Sequence, residues 1–223
     1  MTAAQTSSPV SKSRLEALSD GLFAIVLTLL VFQLMTPLIL EARSEADLHT
    51  ALIELWPRFV SFTISFIIIS VNWVGHHSYY HALQGINETQ LWLNLFFLFC
   101  VSLIPFSSEL IGEHHDTRIA GIIYGLNLAI TVCAIRLNWW YASSRDLVRP
   151  DIDREAVQQI HRRGMMIIIS SLAVVAIAWF KPVAAFYLYV VNAFAYLLLQ
   201  LYTQPLQRIH LPKQVTKAAK ELK

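Results

Sequence analysis

Polar side chains stand at the start of an apolar stretch, where a plain membrane anchor does not need them. Arg14, Ser19 and Asp20 lead directly into the apolar residues AIVLTLLVF. A second apolar stretch ends in NWVGHHSYY, which carries two adjacent histidines. Ionisable residues at or within a membrane-spanning segment are costly, and they mark ion pathways, proton relays or contacts between helices. The two stretches therefore predict a functional site of that kind, and the helices that position it have to be located first.

The composition is that of a membrane protein. The chain has 223 residues, of which 56% are hydrophobic and 14% charged, and its mean hydropathy is +0.51. Soluble domains are more polar than this. The formal net charge is only +2, and the basic residues lie near predicted helix ends rather than in one stripe. This distribution argues against a nucleic-acid partner.

Six apolar stretches are long enough to cross a bilayer as helices, which takes about 20 residues each. They predict an all-α membrane protein with spans at residues 19–40, 57–80, 90–112, 117–144, 163–180 and 182–203. We expect an N-terminal segment at 1–18, a transmembrane domain at 19–203 and a basic tail at 204–223. The tail is expected to lie along the surface of the lipid bilayer.

Basic residues orient these spans. The positive-inside rule places loops rich in lysine and arginine on the cytoplasmic side. Twelve of the 17 basic residues fall on one side of the predicted bundle. They are Lys12, Arg14, Arg145, Arg149, Arg154, Arg162, Arg163, Arg208, Lys213, Lys217, Lys220 and Lys223. The sequence thus predicts an integral protein of a cell membrane with both termini in the cytoplasm.

With this orientation, polar residues of three spans reach one depth near the cytoplasmic face. The predicted layer consists of Arg14, Ser19, Asp20, Trp73, His76, His77 and Asn94. Such groups commonly join membrane helices through hydrogen bonds worth about 1 kcal/mol each. They could equally take part in gating an ion pathway, and the sequence leaves both interpretations open. Within the layer we expect a network of Arg14, Asp20 and His77.

Metal binding and enzymatic catalysis find less support. His76 and His77 are neighbours, so on a helix they point about 100° apart, which does not suit one metal ion. His77 and His81 have the favourable i, i+4 spacing, but no cysteine or carboxylate joins them. The chain contains no G-x-S-x-G or H-E-x-x-H motif. We therefore expect no enzyme activity, no metal site and no resident cofactor.

The start of the first span resembles a known family. Arg14, Leu18, Ser19 and Asp20 are similar to the R-x-x-x-F-S-D motif of the transmembrane protein 175 family, with Leu18 where the motif has phenylalanine. The histidine pair after NWVG and the run NLFFLFCVSLIPF also resemble the family pattern. The resemblance implies a six-helix subunit, a homotetramer, and a central pore that is lined by the first span and passes potassium and related monovalent cations.

Given this resemblance, one face of the first span becomes the expected pore lining. Helical steps from Asp20 lead to Ile25, then to Thr28 or Leu29, and then to Phe32. We expect Ile25 to be the narrowest point, next to which a K⁺ ion passes, and Leu30 to face lipid. No TVGYG-like carbonyl filter occurs in the sequence, so side chains would select the ion in a leak-like channel.

A proton-coupled secondary transporter is the alternative, with Asp20 and His77 as the proton relay. Such transporters tend to have internal repeats and interrupted helices. The motif around Asp20 occurs once, and we expect the prolines to lie near span ends. Both observations favour the channel.

Overall fold

The computed structural model describes residues 11–150 and 154–208, with side chains for 11–37, 39–150 and 165–201, and these residues are almost entirely helical. The elements in chain order are α1 (Lys12–Leu29), a 3₁₀ segment (Leu30–Leu34), α2 (Pro37–Leu40), α3 (Glu45–Glu54), α4 (Trp56–His81), α5 (Glu88–Ser102), α6 (Ile104–Glu113), α7 (Arg118–Ser144), α8 (Arg154–Phe180) and α9 (Pro182–Arg208). Residues 1–10 of the predicted N-terminal segment lie outside the described residues. The same holds for residues 209–223 of the predicted basic tail.

The expectation of one continuous first span over residues 19–40 is wrong at both ends. Helix α1 already begins at Lys12, and after Leu29 it tightens into the 3₁₀ segment. Thr36 is extended, as the residue before a proline usually is, and Pro37 starts the separate short helix α2. Proline therefore begins a new element here instead of lying near the end of the first.

The third predicted span, 90–112, is also interrupted. Helix α5 ends at Ser102 and α6 begins at Ile104, with Pro105 in its first turn. Proline has no N–H to donate and clashes with the preceding turn, so the helical ladder cannot continue through it. The expectation that all prolines lie near span ends is thus wrong at Pro105.

Five helical segments of the described chain are long and apolar enough to cross a membrane. They are Lys12–Leu34, Trp56–His81, Glu88–Glu113, Arg118–Ser144 and Pro182–Leu201. In α8 the apolar part with described side chains, Met165–Phe180, is shorter. These segments confirm an all-α membrane architecture. The count of six spanning helices stays a prediction.

Helix α1 packs against α4, α5 and α6, while α7, α8 and α9 pack against one another. Helix α9 also packs against α4, and α7 packs against α5 and α6. One buried core joins the helices around α1 to those around α7. Its members include Phe23 of α1, Phe97 of α5 and Tyr124 of α7, which are each at most 1% exposed. Between α7 and α9 the approach is close: the Tyr189 hydroxyl donates to the Gly121 carbonyl at 2.8 Å. A Cβ at Gly125 would collide with that hydroxyl, so glycine is required there.

Candidate functional site

Hydrogen bonds join α1, α4 and α5 near the start of α1. Asn94 is completely buried, and its Nδ2 donates to Ser19 Oγ at 3.1 Å. Its Oδ1 is hydrogen-bonded to His76 Nε2 at 2.9 Å. The Ser19 hydroxyl donates to the Leu15 carbonyl at 2.8 Å, so its oxygen has to accept from the asparagine. His76 Nε2 must then carry a hydrogen. We call Ser19, Asp20, Trp73, His76 and Asn94 the N-terminal cluster.

Aromatic rings enclose the histidine of the N-terminal cluster. His76 is 2% exposed and stacks on Phe97 with ring centroids 5.5 Å apart and planes 9° apart. Tyr80 lies 4.5 Å and Phe23 5.8 Å from the same ring, centroid to centroid. A neutral imidazole suits such a setting, because an ion there would lose its hydration. His76 is therefore held as a hydrogen-bond donor rather than displayed as a metal ligand.

The rest of the predicted polar layer lies at the surface of the subunit. Trp73 Nε1 donates to Asp20 Oδ1 at 2.9 Å, and both residues are exposed. His77 is also exposed, with its ring 6.0 Å from that of Trp73. In the described part of the chain Arg14 makes no hydrogen bond or ion pair with Asp20 or His77. The structure thus brings together five of the seven predicted residues and leaves Arg14 and His77 beside them.

A second hydrogen-bonded group, not anticipated from the sequence, adjoins the N-terminal cluster. Gln90 and Asn138 are completely buried, and Gln90 Nε2 donates to Asn138 Oδ1 at 3.0 Å and also to the Tyr79 hydroxyl. Asn138 Nδ2 donates to the Leu93 carbonyl at 2.9 Å. Asn138 interrupts an apolar run, and that was the only signal available in the sequence.

A chain of buried hydroxyl groups lies toward the other end of α1. The Tyr124 hydroxyl contacts Ser65 Oγ at 2.9 Å, Ser65 Oγ donates to Ser108 Oγ at 2.8 Å, and Ser108 Oγ donates to Gln33 Oε1 at 3.0 Å. Ser61 Oγ donates to the Ser108 carbonyl at 2.5 Å. All five residues are at most 4% exposed. We call Tyr124, Ser65, Ser108 and Gln33 the hydroxyl chain.

The predicted pore residues share the unpacked side of α1 and its 3₁₀ extension. Ile25 is 60% exposed, Leu29 44% and Phe32 61%, and Thr28 is exposed too. The Thr28 hydroxyl donates to the Ile25 carbonyl at 2.8 Å, so its oxygen can act only as an acceptor toward other groups. Leu30 is only 1% exposed, so the expectation that it faces lipid is wrong. Its side chain packs in the core because the helix turns it away from Ile25.

Charged groups are sparse around this face. The ion pair between Arg58 and Glu113 lies near the end of the 3₁₀ segment, where Arg58 also donates to the Gln33 carbonyl at 3.5 Å. Among the residues that the structure describes, no group of three or more histidine, cysteine, aspartate or glutamate side chains could hold a metal ion. What the arrangement offers is an uncharged apolar surface with hydrogen-bonded clusters behind both of its ends.

Comparison with known proteins gives a consistent result. The sequence profile described as "Endosomal/lysosomal potassium channel TMEM175" matches residues 14–105. A potassium channel from Chamaesiphon minutus is 35% identical over 157 residues, which are 67% of this chain and 75% of that one. A potassium channel from a Chryseobacterium species is 37% identical over 125 residues, and the match spans 62% of its length. Vertebrate proteins named endosomal/lysosomal proton channel TMEM175, such as the human one at 33% identity, match over about a fifth of their length.

Solved structures agree with this result. The crystal structure of a lysosomal potassium-selective channel TMEM175 homologue from Chamaesiphon minutus superposes with a TM-score of 0.75 at 26% identity, covering 85% of this chain and 97% of that one. The potassium channel MtTMEM175, at 17% identity and a TM-score of 0.55, shares the fold. The fold and the clustered motif residues are thus those of an integral membrane protein of the ion-channel class. The chain belongs to the TMEM175 family, and the resemblance noted at Arg14, Ser19 and Asp20 is confirmed.

Proposed function

We propose that this protein is a potassium-permeable channel for monovalent cations, in which four copies of the chain surround a central pore lined by α1. The observation that carries this proposal is the uncharged exposed face of α1, with Ile25, Leu29 and Phe32 standing out from the subunit. The names of the bacterial relatives, which are potassium channels, support the choice of ion.

The exposed face of α1 carries both small and large side chains. This mixture favours contact of the face with another copy of the chain rather than with lipid alone. Gly21 and Ala24 are exposed beside Ile25, and a Cβ at Gly21 would meet nothing within 4 Å. Small residues let membrane helices approach one another closely, and they are enriched at helix interfaces. In a ring of four subunits the small residues can face the neighbouring copies while Ile25 and Phe32 face the axis.

Ile25 forms the constriction in this proposal. Four isoleucine side chains around one axis leave an opening that water wets poorly, so a cation has to distort its hydration shell to pass. Potassium holds its water less tightly than sodium, which gives selectivity without a carbonyl filter. The exposed hydroxyl oxygen of Thr28 can replace part of the lost water just beyond the constriction. Transport through such an opening is slow and leak-like.

The orientation follows from the basic residues, with both termini and the start of α1 in the cytoplasm of a bacterial cell. The N-terminal cluster then lies behind the cytoplasmic end of the pore helix, and the hydroxyl chain behind its outer end. Both clusters hold α1 against the rest of the subunit while its apolar face stays free for the ions and the neighbouring copies.

Ion flux in liposomes tests the proposal. The purified protein should carry K⁺ with or without a proton gradient, whereas a proton-coupled transporter would need that gradient. Ile25→Asn places amide dipoles at the constriction and should raise flux about tenfold and lower the K⁺ preference over Na⁺. Proton flux measured in the same liposomes shows whether protons also permeate.

Ile169→Asn is the matched control, since Ile169 of α8 is also 60% exposed but lies away from α1. It should leave the selectivity unchanged. Equal behaviour of the two variants would mean that α1 does not line the pore. Mass measurement in nanodiscs should give four subunits, and a conducting monomer would contradict the assembly.

A further inference from the structure

Burial repeats with a period of three at the end of the pore helix. One line of residues is exposed by 44%, 61% and 58%: Leu29, Phe32 and Met35. The residues of the next line are at most 4% exposed: Leu30, Gln33 and Thr36. A 3₁₀ helix has three residues per turn, so residues i and i+3 lie directly above one another. The 3₁₀ segment Leu30–Leu34 thus creates both lines.

An α-helix would arrange the same residues differently. Each residue advances by about 120° in a 3₁₀ helix but by about 100° in an α-helix. Over the three steps from Leu29 to Phe32 the difference amounts to about 60°. In α geometry Phe32 would therefore stand out of line with Leu29, and Gln33 would move from the core toward the edge of the exposed face. The 3₁₀ segment sets the direction of Phe32.

Something has to hold this tighter geometry, because 3₁₀ hydrogen bonds are poorer than α-helical ones. The hydroxyl chain does so at Gln33, whose oxygen accepts from Ser108 at 3.0 Å. The donors run in one direction, with Tyr124 donating to Ser65, Ser65 to Ser108 and Ser108 to Gln33. If Gln33 turned away, the buried Ser108 hydroxyl would exchange this acceptor for the more distant Ser61 carbonyl at 3.3 Å, and a weaker hydrogen bond is unfavourable in a membrane interior.

We propose that Gln33 is a positioning residue for ion permeation, which acts by holding the 3₁₀ segment and so aiming Phe32 along the pore. This inference rests on the proposed function, because Phe32 matters only if α1 lines the pore. Gln33 itself lies behind the pore wall, 4% exposed, and does not touch the ion.

The acceptor oxygen of Gln33 is the part that carries this role. Gln33 Nε2 is buried and has no hydrogen-bond partner among the described residues. Glutamate keeps the carboxyl oxygen in place of the amide oxygen whether or not it is protonated, and leucine removes it at similar volume. Gln33→Glu should therefore preserve the channel properties that Gln33→Leu changes.

The experiment measures K⁺ and Na⁺ flux for Gln33→Leu, Gln33→Glu and Ser108→Ala in liposomes. Gln33→Leu and Ser108→Ala should change the K⁺/Na⁺ flux ratio about threefold, the range typical of indirect coupling, while Gln33→Glu should stay near the wild-type ratio. Ser107→Ala is the control, since Ser107 is as buried as Ser108 but bonds to Ile104 and Asn127 instead. Should Gln33→Leu fail to assemble, Ser108→Ala carries the test.

A second measurement follows the geometry without relying on conduction. A water-soluble maleimide should label Phe32→Cys at a rate that changes about threefold when Gln33→Leu or Ser108→Ala is added, while Ile25→Cys in the α-helical part keeps its rate. The native Cys100 and Cys133 give the background. Unchanged labelling and an unchanged flux ratio in a conducting protein would overturn the inference alone. Absence of cation flux in the wild-type protein would instead overturn the proposed function, and the labelling would still test the rotation.

Discussion

The two ends of α1 are held by different chemistry. The N-terminal cluster uses an imidazole, an amide, a carboxylate and an indole, and it is half open, with Asp20 and Trp73 exposed and His76 and Asn94 buried. The hydroxyl chain uses three hydroxyl groups and one amide, and it is closed on all sides. A half-open cluster can contact whatever lies beside the subunit. A closed one can act only on the helix that it holds.

We infer from this difference that the two clusters have different structural roles. At its start α1 is a regular α-helix, and the N-terminal cluster fixes which face of it packs against α4 and α5. At its end the helix changes type, and the hydroxyl chain fixes its rotation about its own axis. We expect damage at the first end to appear mainly as loss of stability, and damage at the second mainly as altered permeation.

Asn94→Leu should have the largest effect on stability and tests the first half of this comparison. It leaves His76 Nε2 without its acceptor at a buried site, which costs about 1–3 kcal/mol. It also removes the donor to Ser19 Oγ, although that hydroxyl keeps its own bond to the Leu15 carbonyl. The midpoint of thermal unfolding in detergent should fall by at least several degrees. Asn127→Leu is the control, because among the described residues Asn127 donates only to Ser107, and it is partly buried. An equal fall of the unfolding midpoint in both variants would contradict the larger contribution of the N-terminal cluster to stability.

Ser65→Ala should have an intermediate effect. It breaks the hydroxyl chain in the middle and leaves the Tyr124 hydroxyl without an acceptor, at a cost of about 1 kcal/mol, since hydroxyl bonds between membrane helices are individually weak. Unfolding should shift less than for Asn94→Leu, while the K⁺/Na⁺ flux ratio should shift more. The Ser78 hydroxyl donates to the Val74 carbonyl of its own helix and, within the part of the chain that the structure describes, bonds to no other helix, so Ser78→Ala should change neither quantity. The reverse order of effects would contradict the division of tasks.

The smallest effect concerns Asp47, which caps α3 outside the membrane-spanning segments. Hydrogen bonding to the Ser44 side chain, followed by the backbone N–H of Arg43, lowers the pKa of the Asp47 carboxyl below its usual value of 3.8. A lowered folded-state pKa stabilises the helix start above the unfolded value, and this contribution is lost as the pH falls through the folded one. The protection of the amides at the start of α3, expressed relative to the intrinsic exchange rate at each pH, should fall only in that acidic range. Asp47→Ala should remove the pH dependence, and a pH effect that persists in this variant would rule out the cap as its cause.

The N-terminal cluster could be anticipated from the sequence because its residue types are rare in membrane spans. His76, Asn94 and Asp20 stand out in apolar surroundings, and the depth argument placed them together. Serines carry no such signal: Ser61, Ser65 and Ser108 look like ordinary residues of membrane helices, whose hydroxyls usually bond to their own turn. Only the three-dimensional packing shows that they bond to each other.

Helix breaks were predicted poorly for a related reason. Hydropathy measures the length of an apolar stretch, and the stretches around Pro37 and Pro105 are continuous by that measure. The change of helix type after Leu29 has no marker in the sequence, because neither proline nor glycine lies within the 3₁₀ segment. Its trace is the line of Leu30, Gln33 and Thr36, which became visible only once the burial of each residue was known.

The break between α5 and α6 divides one apolar stretch into two helical segments. Asn94 of the N-terminal cluster lies on α5, whereas Ser108 of the hydroxyl chain lies on α6, and between them Pro105 interrupts the backbone ladder. The start and the end of α1 are therefore anchored on two different helical segments, on α5 through the bond of Asn94 to Ser19 and on α6 through the bond of Ser108 to Gln33.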